Sequence, residues 1–85
     1  MNMNYIYVIH SPDSDDYYLG YTRDPWLRLH EHNHGLNMST KGRVWELVYI
    51  EGYTSEQFAR AREAVLKRNR RMNTFLMERV RKSIE

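Results

Sequence analysis

Five side chains of this chain have the chemistry to hydrolyse a phosphodiester. Tyr7 and Tyr18 lie in two tyrosine-rich apolar runs, Arg28 precedes His32 by one helical turn, and Glu63 precedes Lys67 by the same spacing. Phenols and an imidazole can move protons at a water molecule, a guanidinium can neutralise a phosphate, and a carboxylate can hold a hard cation. Each also has a plainer use. Tyrosines are good strand formers that pack across a sheet, Arg28 suits a helix surface, and Glu63 with Lys67 could be an ordinary ion pair worth about 0.3–0.5 kcal/mol.

The elements that must position these groups are readable from local pattern. Runs 5–9 and 17–21 are aromatic and aliphatic, and Ser11-Pro12-Asp13-Ser14-Asp15-Asp16 between them is a cluster of turn formers, so the pair predicts a β-hairpin. Alternation puts Tyr5, Tyr7 and Ile9 on one face of the first strand and Ile6 and Val8 on the other. Asp24-Pro25 is a helix cap with proline at the first position, and Gly35 is a stop, which predicts a helix over 25–34 with Arg28 and His32 on one face. Residues 36–43 lack periodicity, and 44–51 reads as a third strand. Thr54 is the expected cap of a long second helix, with Gln57 completing a capping box. In it Phe58, Ala61 and Val65 are expected to face the sheet, leaving Glu63, Lys67 and Arg70 on another stripe. A break near Met72 and a new cap at Asn73-Thr74 predict a last helix with the stripe Leu76, Met77, Val80 and Ile84. The order ββαβαα defines an α+β domain: a small three-stranded antiparallel sheet flanked by helices.

Eighty-five residues, with 41% hydrophobic and 28% charged, suit one small domain over 1–85. There are no cysteines, which excludes disulfides, thiolate metal sites and cysteine nucleophiles. Met1-Asn2-Met3-Asn4 lacks the basic start and apolar run of a signal peptide, and no stretch reaches membrane-spanning length, so a cytoplasmic protein that does not engage membranes is expected. The net charge is only +2, yet between Arg60 and Lys82 nine basic residues face two acidic ones, whereas before Arg60 four basic face eight acidic. That asymmetry points to a polyanionic partner for the C-terminal half, against the plainer reading of a solvated arginine-rich helix face. Lys41, Arg43, Lys67, Arg70 and Arg71 are the candidate contacts to a nucleic-acid backbone, and an exposed Trp26 could stack on an unpaired base. His30, His32 and His34 do not make a zinc site, because on a helix His32 points away from the other two.

In order along the chain, Tyr5-Ile6-Tyr7, Tyr18-Leu19-Gly20-Tyr21-Thr22, Arg28-Leu29-His30-Glu31-His32-Asn33, the segment from Thr40-Lys41-Gly42-Arg43 to Tyr49, and Ala59-Arg60-Ala61-Arg62-Glu63 resemble the motifs of the GIY-YIG nucleases. The chain is most similar to their small single-domain bacterial members and more distantly to the catalytic N-terminal module of the excinuclease C subunit. Tyr5 stands where the first motif has its glycine, Leu19 where the second has isoleucine, and Pro25 where a leucine is usual early in the helix.

The resemblance implies a metal-dependent endonuclease acting on DNA, or on RNA as the alternative polyanion. Glu63 would bind Mg²⁺ or Mn²⁺, Tyr18 would act as base with Tyr7 as its partner, Arg28 would stabilise the charge of the transition state, and His32 would accept a proton or orient a tyrosine. Nothing in the chain resembles a base-reading module, so weak sequence specificity or structure selectivity is expected, in DNA repair or recombination, with a further protein partner supplying target choice. The competing expectations are a non-catalytic nucleic-acid-binding module that retains the fold, and a protein-interaction domain docking an acidic partner through its basic helices.

Overall fold

The computed structural model describes residues 2–85. Its elements are β1 (Asn4–Ser11), β2 (Asp16–Thr22), α1 (Pro25–Asn33), β3 (Glu46–Tyr53), α2 (Glu56–Arg68) and α3 (Arg70–Ser83), the ββαβαα order expected of an α+β domain. The strands form one antiparallel sheet in the order β2-β1-β3, with β1 in the middle. Central position explains its sequence: Ile6, Tyr7, Val8 and Ile9 are all buried because both faces of the sheet are covered.

Alternation along β1 divides the core in two. Ile6 and Val8 pack with Leu19 of β2, Leu66 of α2, and Leu76 and Val80 of α3. Tyr7 and Ile9 point the other way and pack with Trp45, Leu47, Tyr18 and Leu29 of α1. The sheet therefore carries α1 on one face and the α2–α3 pair on the other. Pairing of β1 with β3 slips between Val8 and Ile9, leaving Val48 as the extra residue. The bulge changes the phase of β3, so Leu47 joins the α1 side while Val48 and Tyr49 both join the α2–α3 side.

Local chemistry sets most boundaries. The hairpin turns at Asp15, whose φ of 54° lies in the left-handed region that aspartate tolerates better than most residues. Asp24 caps α1 by accepting from the Leu27 amide, with Pro25 at the first position. Gly35, at φ 72°, ends it: the Gly35 amide donates to the His32 carbonyl and the Leu36 amide to that of Glu31, the paired bonds of a Schellman motif.

Four expectations are corrected. The third strand runs Glu46–Tyr53 and not 44–51, because its ladder to β1 continues to Asn4 opposite Tyr53 while Val44 stays outside it, exposed. Ser55, and not Thr54, caps α2 by accepting from the Phe58 amide. The buried stripe of α2 is Ala59 and Leu66, whereas Phe58 and Ala61 are exposed and Val65 is half-buried. The helix is thus rotated so that Glu63, expected away from the sheet, flanks the buried face. Finally, the helical run breaks at Asn69, which caps α3 by accepting from the Met72 amide, so that Asn73 and Thr74 lie within the helix.

A half-buried ion pair fastens α2 to β3. The Glu51 carboxylate receives hydrogen bonds from the hydroxyls of Tyr49 and Tyr53, each at 2.7 Å, and from Arg62 at 2.8 and 3.3 Å. Burial alone would raise the Glu51 pKa, but these donors hold it below the usual carboxylate range.

Gly20, opposite Tyr7 in the ladder, has a different task. A Cβ there would stand 2.6 Å from the Tyr7 hydroxyl oxygen and 2.8 Å from its Cε1 and Cζ. The tyrosine ring lies across the glycine, and no larger residue fits. Gly20→Ala is expected to cost about 1–3 kcal/mol, measured by urea unfolding, and to displace the Tyr7 ring.

Candidate active site

Burial of Tyr7 against α1 creates the site. Its hydroxyl lies 2.7 Å from Nε2 of His32, a bond between the central strand and the helix, and both side chains are almost wholly inaccessible. The other ring nitrogen of His32, Nδ1, lies 2.7 Å from the hydroxyl of Thr40 in the α1–β3 loop. Tyr18 stands beside both rings, with centroids 4.9 Å from His32 and 6.3 Å from Tyr7. Tyr18 is partly exposed, and among the described residues its hydroxyl has no protein hydrogen-bond partner. One tyrosine therefore faces inward, and the other is open to solvent.

Arg28 sits one turn before His32 on α1, where Glu31 holds its guanidinium at 3.0 Å. Glu63 and Lys67 complete the cluster from α2, paired at 3.2 Å. The Lys67 ammonium stands 5.5 Å over the Tyr18 ring. Because Tyr18 belongs to the α1 face, the polar edge of α2 reaches around β2 to join a cluster on the opposite side of the sheet.

These charges act on the two buried groups. Burial pushes the Tyr7 phenol up to about 12; the neighbouring Arg28 guanidinium works against that rise, and Tyr18 and the negative charge of Glu63 add to it. Burial likewise pushes His32 down to about 4, helped by repulsion from Arg28 and opposed by Glu31. At neutral pH the imidazole is uncharged, with one nitrogen free to accept a proton.

The remaining basic candidates divide. Arg70 shares a shallow hollow with Lys67 and Arg68, close to the cluster. Arg71 lies over Phe75 on α3. Arg43 pairs with Asp16 at the hairpin end and lies over Trp45, an exposed arrangement. Lys41 is exposed and packs its stem beside Gly35. Trp26 is 70% exposed, so its ring is available at the surface. His30 and His34 stack on each other at 3.9 Å on the outside of α1, apart from His32.

Sequence reasoning missed Thr40 and Glu31 as members of the site. Glu31 was detectable in principle as a carboxylate three residues after Arg28. Thr40 was not, because its contact with His32 depends on the path of an aperiodic loop.

The donor set suits a hard divalent ion. Glu63 is half-buried, pairs with Lys67 through Oε2, and lies near enough to Tyr7 for its negative charge to act on the phenol. Mg²⁺ keeps most of its waters and commonly takes only one or two protein carboxylates. No cluster of three or more histidine, cysteine, aspartate or glutamate side chains occurs among the described residues, which fits an ion of that type better than zinc.

In this three-stranded antiparallel sheet a buried tyrosine bonds a histidine of α1, and an arginine and a glutamate from the helices on either side act on its charge. The chain belongs to the GIY-YIG family: the GIY-YIG catalytic domain matches residues 3–76. A UPF0213 protein of Streptococcus pneumoniae serotype 4 (strain ATCC BAA-334 / TIGR4) is 41% identical over 69 residues, covering 79% of this chain and 69% of its own. A second, from Streptococcus pneumoniae (strain ATCC BAA-255 / R6), is 39% identical over the same shares. No solved structure gives a significant match. Among the described residues no helix is long and apolar enough to cross a membrane.

The depressed pKa of His32 makes stability depend on pH with a definite sign. Between about pH 6.5, where the unfolded imidazole titrates, and about pH 4, where the folded one does, the unfolded chain binds the extra proton. Stability should be full above that window and fall by on the order of 2 kcal/mol as pH drops through it. Urea midpoints measured from pH 7 to pH 4.5 should show this slope in the wild type, and His32→Gln should flatten it.

Proposed function

We propose that this protein is a metal-dependent endonuclease that cleaves DNA, with weak sequence specificity or a preference for branched, damaged or single-stranded substrates of the kind that arise in repair and recombination. The observation that carries the reading is the neighbourhood of a partly exposed phenol without a partner among the described residues, a phenol bonded to a neutral imidazole, a guanidinium and a half-buried carboxylate, from β1, β2, α1 and α2. The basic stretch around Arg68 and Arg70 adjoining that point supplies phosphate affinity.

The two tyrosines divide the work by exposure. Tyr18, whose hydroxyl is free, orients the attacking water. As the water oxygen bonds to phosphorus, its proton passes to the Tyr7 oxygen while the proton of Tyr7 passes to Nε2 of His32, so the phenol never has to ionise. The bond from phosphorus to the leaving oxygen breaks, and that oxygen takes its proton from solvent. Phosphate bound against Arg28 offsets the positive charge that helps depress His32, making the imidazole a better acceptor when substrate is present. The planar fork of Arg28, held by Glu31, stabilises charge on the pentacoordinate phosphorus. Glu63 would hold Mg²⁺ or Mn²⁺, which when bound supplies charge neutralisation at the phosphate.

The test is cleavage of labelled single-stranded, duplex and branched DNAs with Mg²⁺ or Mn²⁺. Wild type should give metal-dependent products, and identically prepared Glu63→Gln should give none while still binding DNA. Arg28→Ala should lower kcat by about 10²–10³-fold. Wild-type binding without cleavage of any substrate would favour a non-catalytic nucleic-acid-binding module, and equal cleavage by wild type and Glu63→Gln would remove Glu63 from the site.

A further inference from the structure

The hydrogen bonds around His32 form a chain whose two ends differ in kind. A neutral imidazole has one N–H donor and one lone-pair acceptor, and here each nitrogen meets a hydroxyl at 2.7 Å, Tyr7 on Nε2 and Thr40 on Nδ1. A hydroxyl can donate or accept, so the ring and its two immediate partners leave both tautomers open. The next neighbours do not. Beyond Thr40, its Oγ1 lies 3.4 Å from the main-chain carbonyl of Asn37, which can only accept. Beyond Tyr7 the Arg28 guanidinium, a group that can only donate, stands near enough to oppose the rise in the phenol's pKa. When Nδ1–H donates to Thr40 and the Tyr7 hydroxyl donates to Nε2, every proton of the chain has an acceptor; in the opposite direction Thr40 turns a lone pair towards the Asn37 carbonyl, and the Tyr7 proton loses its acceptor among the described residues.

We propose that Thr40 is a positioning residue that holds His32 in the tautomer protonated on Nδ1, so that Nε2 is kept as the proton acceptor for Tyr7. Thr40 gives its own proton to the Asn37 carbonyl, accepts from Nδ1–H, and leaves the Nε2 lone pair aimed at the tyrosine. The opposite tautomer would turn an N–H towards Tyr7 and block the transfer.

The loop is built to hold Thr40 there. Thr40 is fully buried, its amide donates to the Asn37 carbonyl at 3.2 Å, and the Asn37 side chain accepts from the Ser39 amide at 2.9 Å. The Thr40 carbonyl accepts from the indole N–H of Trp45 at 2.9 Å. Asn33 at the end of α1 binds the Trp45 backbone on both sides, accepting from its amide at 2.7 Å and donating to its carbonyl at 3.0 Å. The loop is thus tied to α1 and to β3 on either side of the threonine.

The role of this tautomer in catalysis rests on the nuclease reading, but the tautomer itself can be read without any activity. In ¹⁵N-labelled full-length protein at neutral pH, long-range ¹H–¹⁵N correlation of the histidine rings should show His32 with a protonated Nδ1 and an unprotonated Nε2. Thr40→Val, which keeps the shape and removes the hydroxyl, should shift His32 toward the Nε2-protonated form, and Thr40→Ser should restore the wild-type pattern. If the nuclease reading also holds, Thr40→Val should lower kcat by about 10–100-fold with KM little changed, rescued by serine. A wild-type spectrum with Nε2 protonated overturns the proposal, even if Thr40→Val fails to fold. So does a folded Thr40→Val whose His32 resonances match wild type. The expected spectra in a wild type that cuts no DNA would sustain the tautomer assignment while the nuclease reading failed.

Discussion

The bond between the Tyr7 hydroxyl and His32 is the contact on which the site depends, because it nearly buries two polar groups that must then satisfy each other. Buried polar atoms without partners are costly, so the phenol can be buried only if the imidazole meets it, and the imidazole only if Thr40 meets its other nitrogen. Among the described residues no buried side-chain nitrogen or oxygen is left without a partner. The central strand, the first helix and the loop after it are therefore coupled through three side chains. Gly20 is the steric condition for the same contact, since any Cβ at that position would occupy the space of the Tyr7 ring.

Around this dry centre the charges are arranged so that opposing effects meet on the same atoms. Burial raises Tyr7 while Arg28 lowers it, and burial lowers His32 while Glu31 raises it. The result is a neutral acceptor beside a phenol that stays protonated at rest. Such a pair holds its proton until a charge change at Arg28 or Glu63 alters the balance, which is what arrival of a phosphate would bring. The Glu51 network on the other side of the sheet has a different character. It is a carboxylate satisfied by Arg62 and two tyrosines that fixes the helix bearing Glu63.

Much of the architecture was legible because local signals are strong where one residue type is needed. Asp24-Pro25 and Gly35 bound α1 as read, since capping depends on the residues at those positions alone. The alternation of β1 likewise sorted Tyr7 and Ile9 from Ile6 and Val8, because strand geometry leaves no other choice. The face of α2 was misread for a complementary reason. Phe58 and Val65 are more apolar than Ala59, yet Ala59 is the one fully buried, while Phe58 stays 56% exposed with its ring against Tyr53. The extent of β3 was misplaced by two residues, since its ends are set by the length of β1 and by a bulge that no pattern in 44–51 announces.

The sequence by itself determined the order of elements, the shared face of Tyr7 and Ile9, the shared face of Arg28 and His32, and the supply of positive charge after Arg60, because each depends on residue type and on spacing along a regular element. Only the tertiary structure decided which charges pair, as with Arg43 and Asp16, and which groups meet. Glu63 reaches the α1 side of the sheet because α2 rotates onto Ala59 and Leu66, and Thr40 reaches His32 because a Schellman turn redirects the chain beneath it. Those contacts join residues distant in sequence or linked by aperiodic backbone, where position follows from packing and hydrogen-bond closure and leaves no periodic trace in the chain.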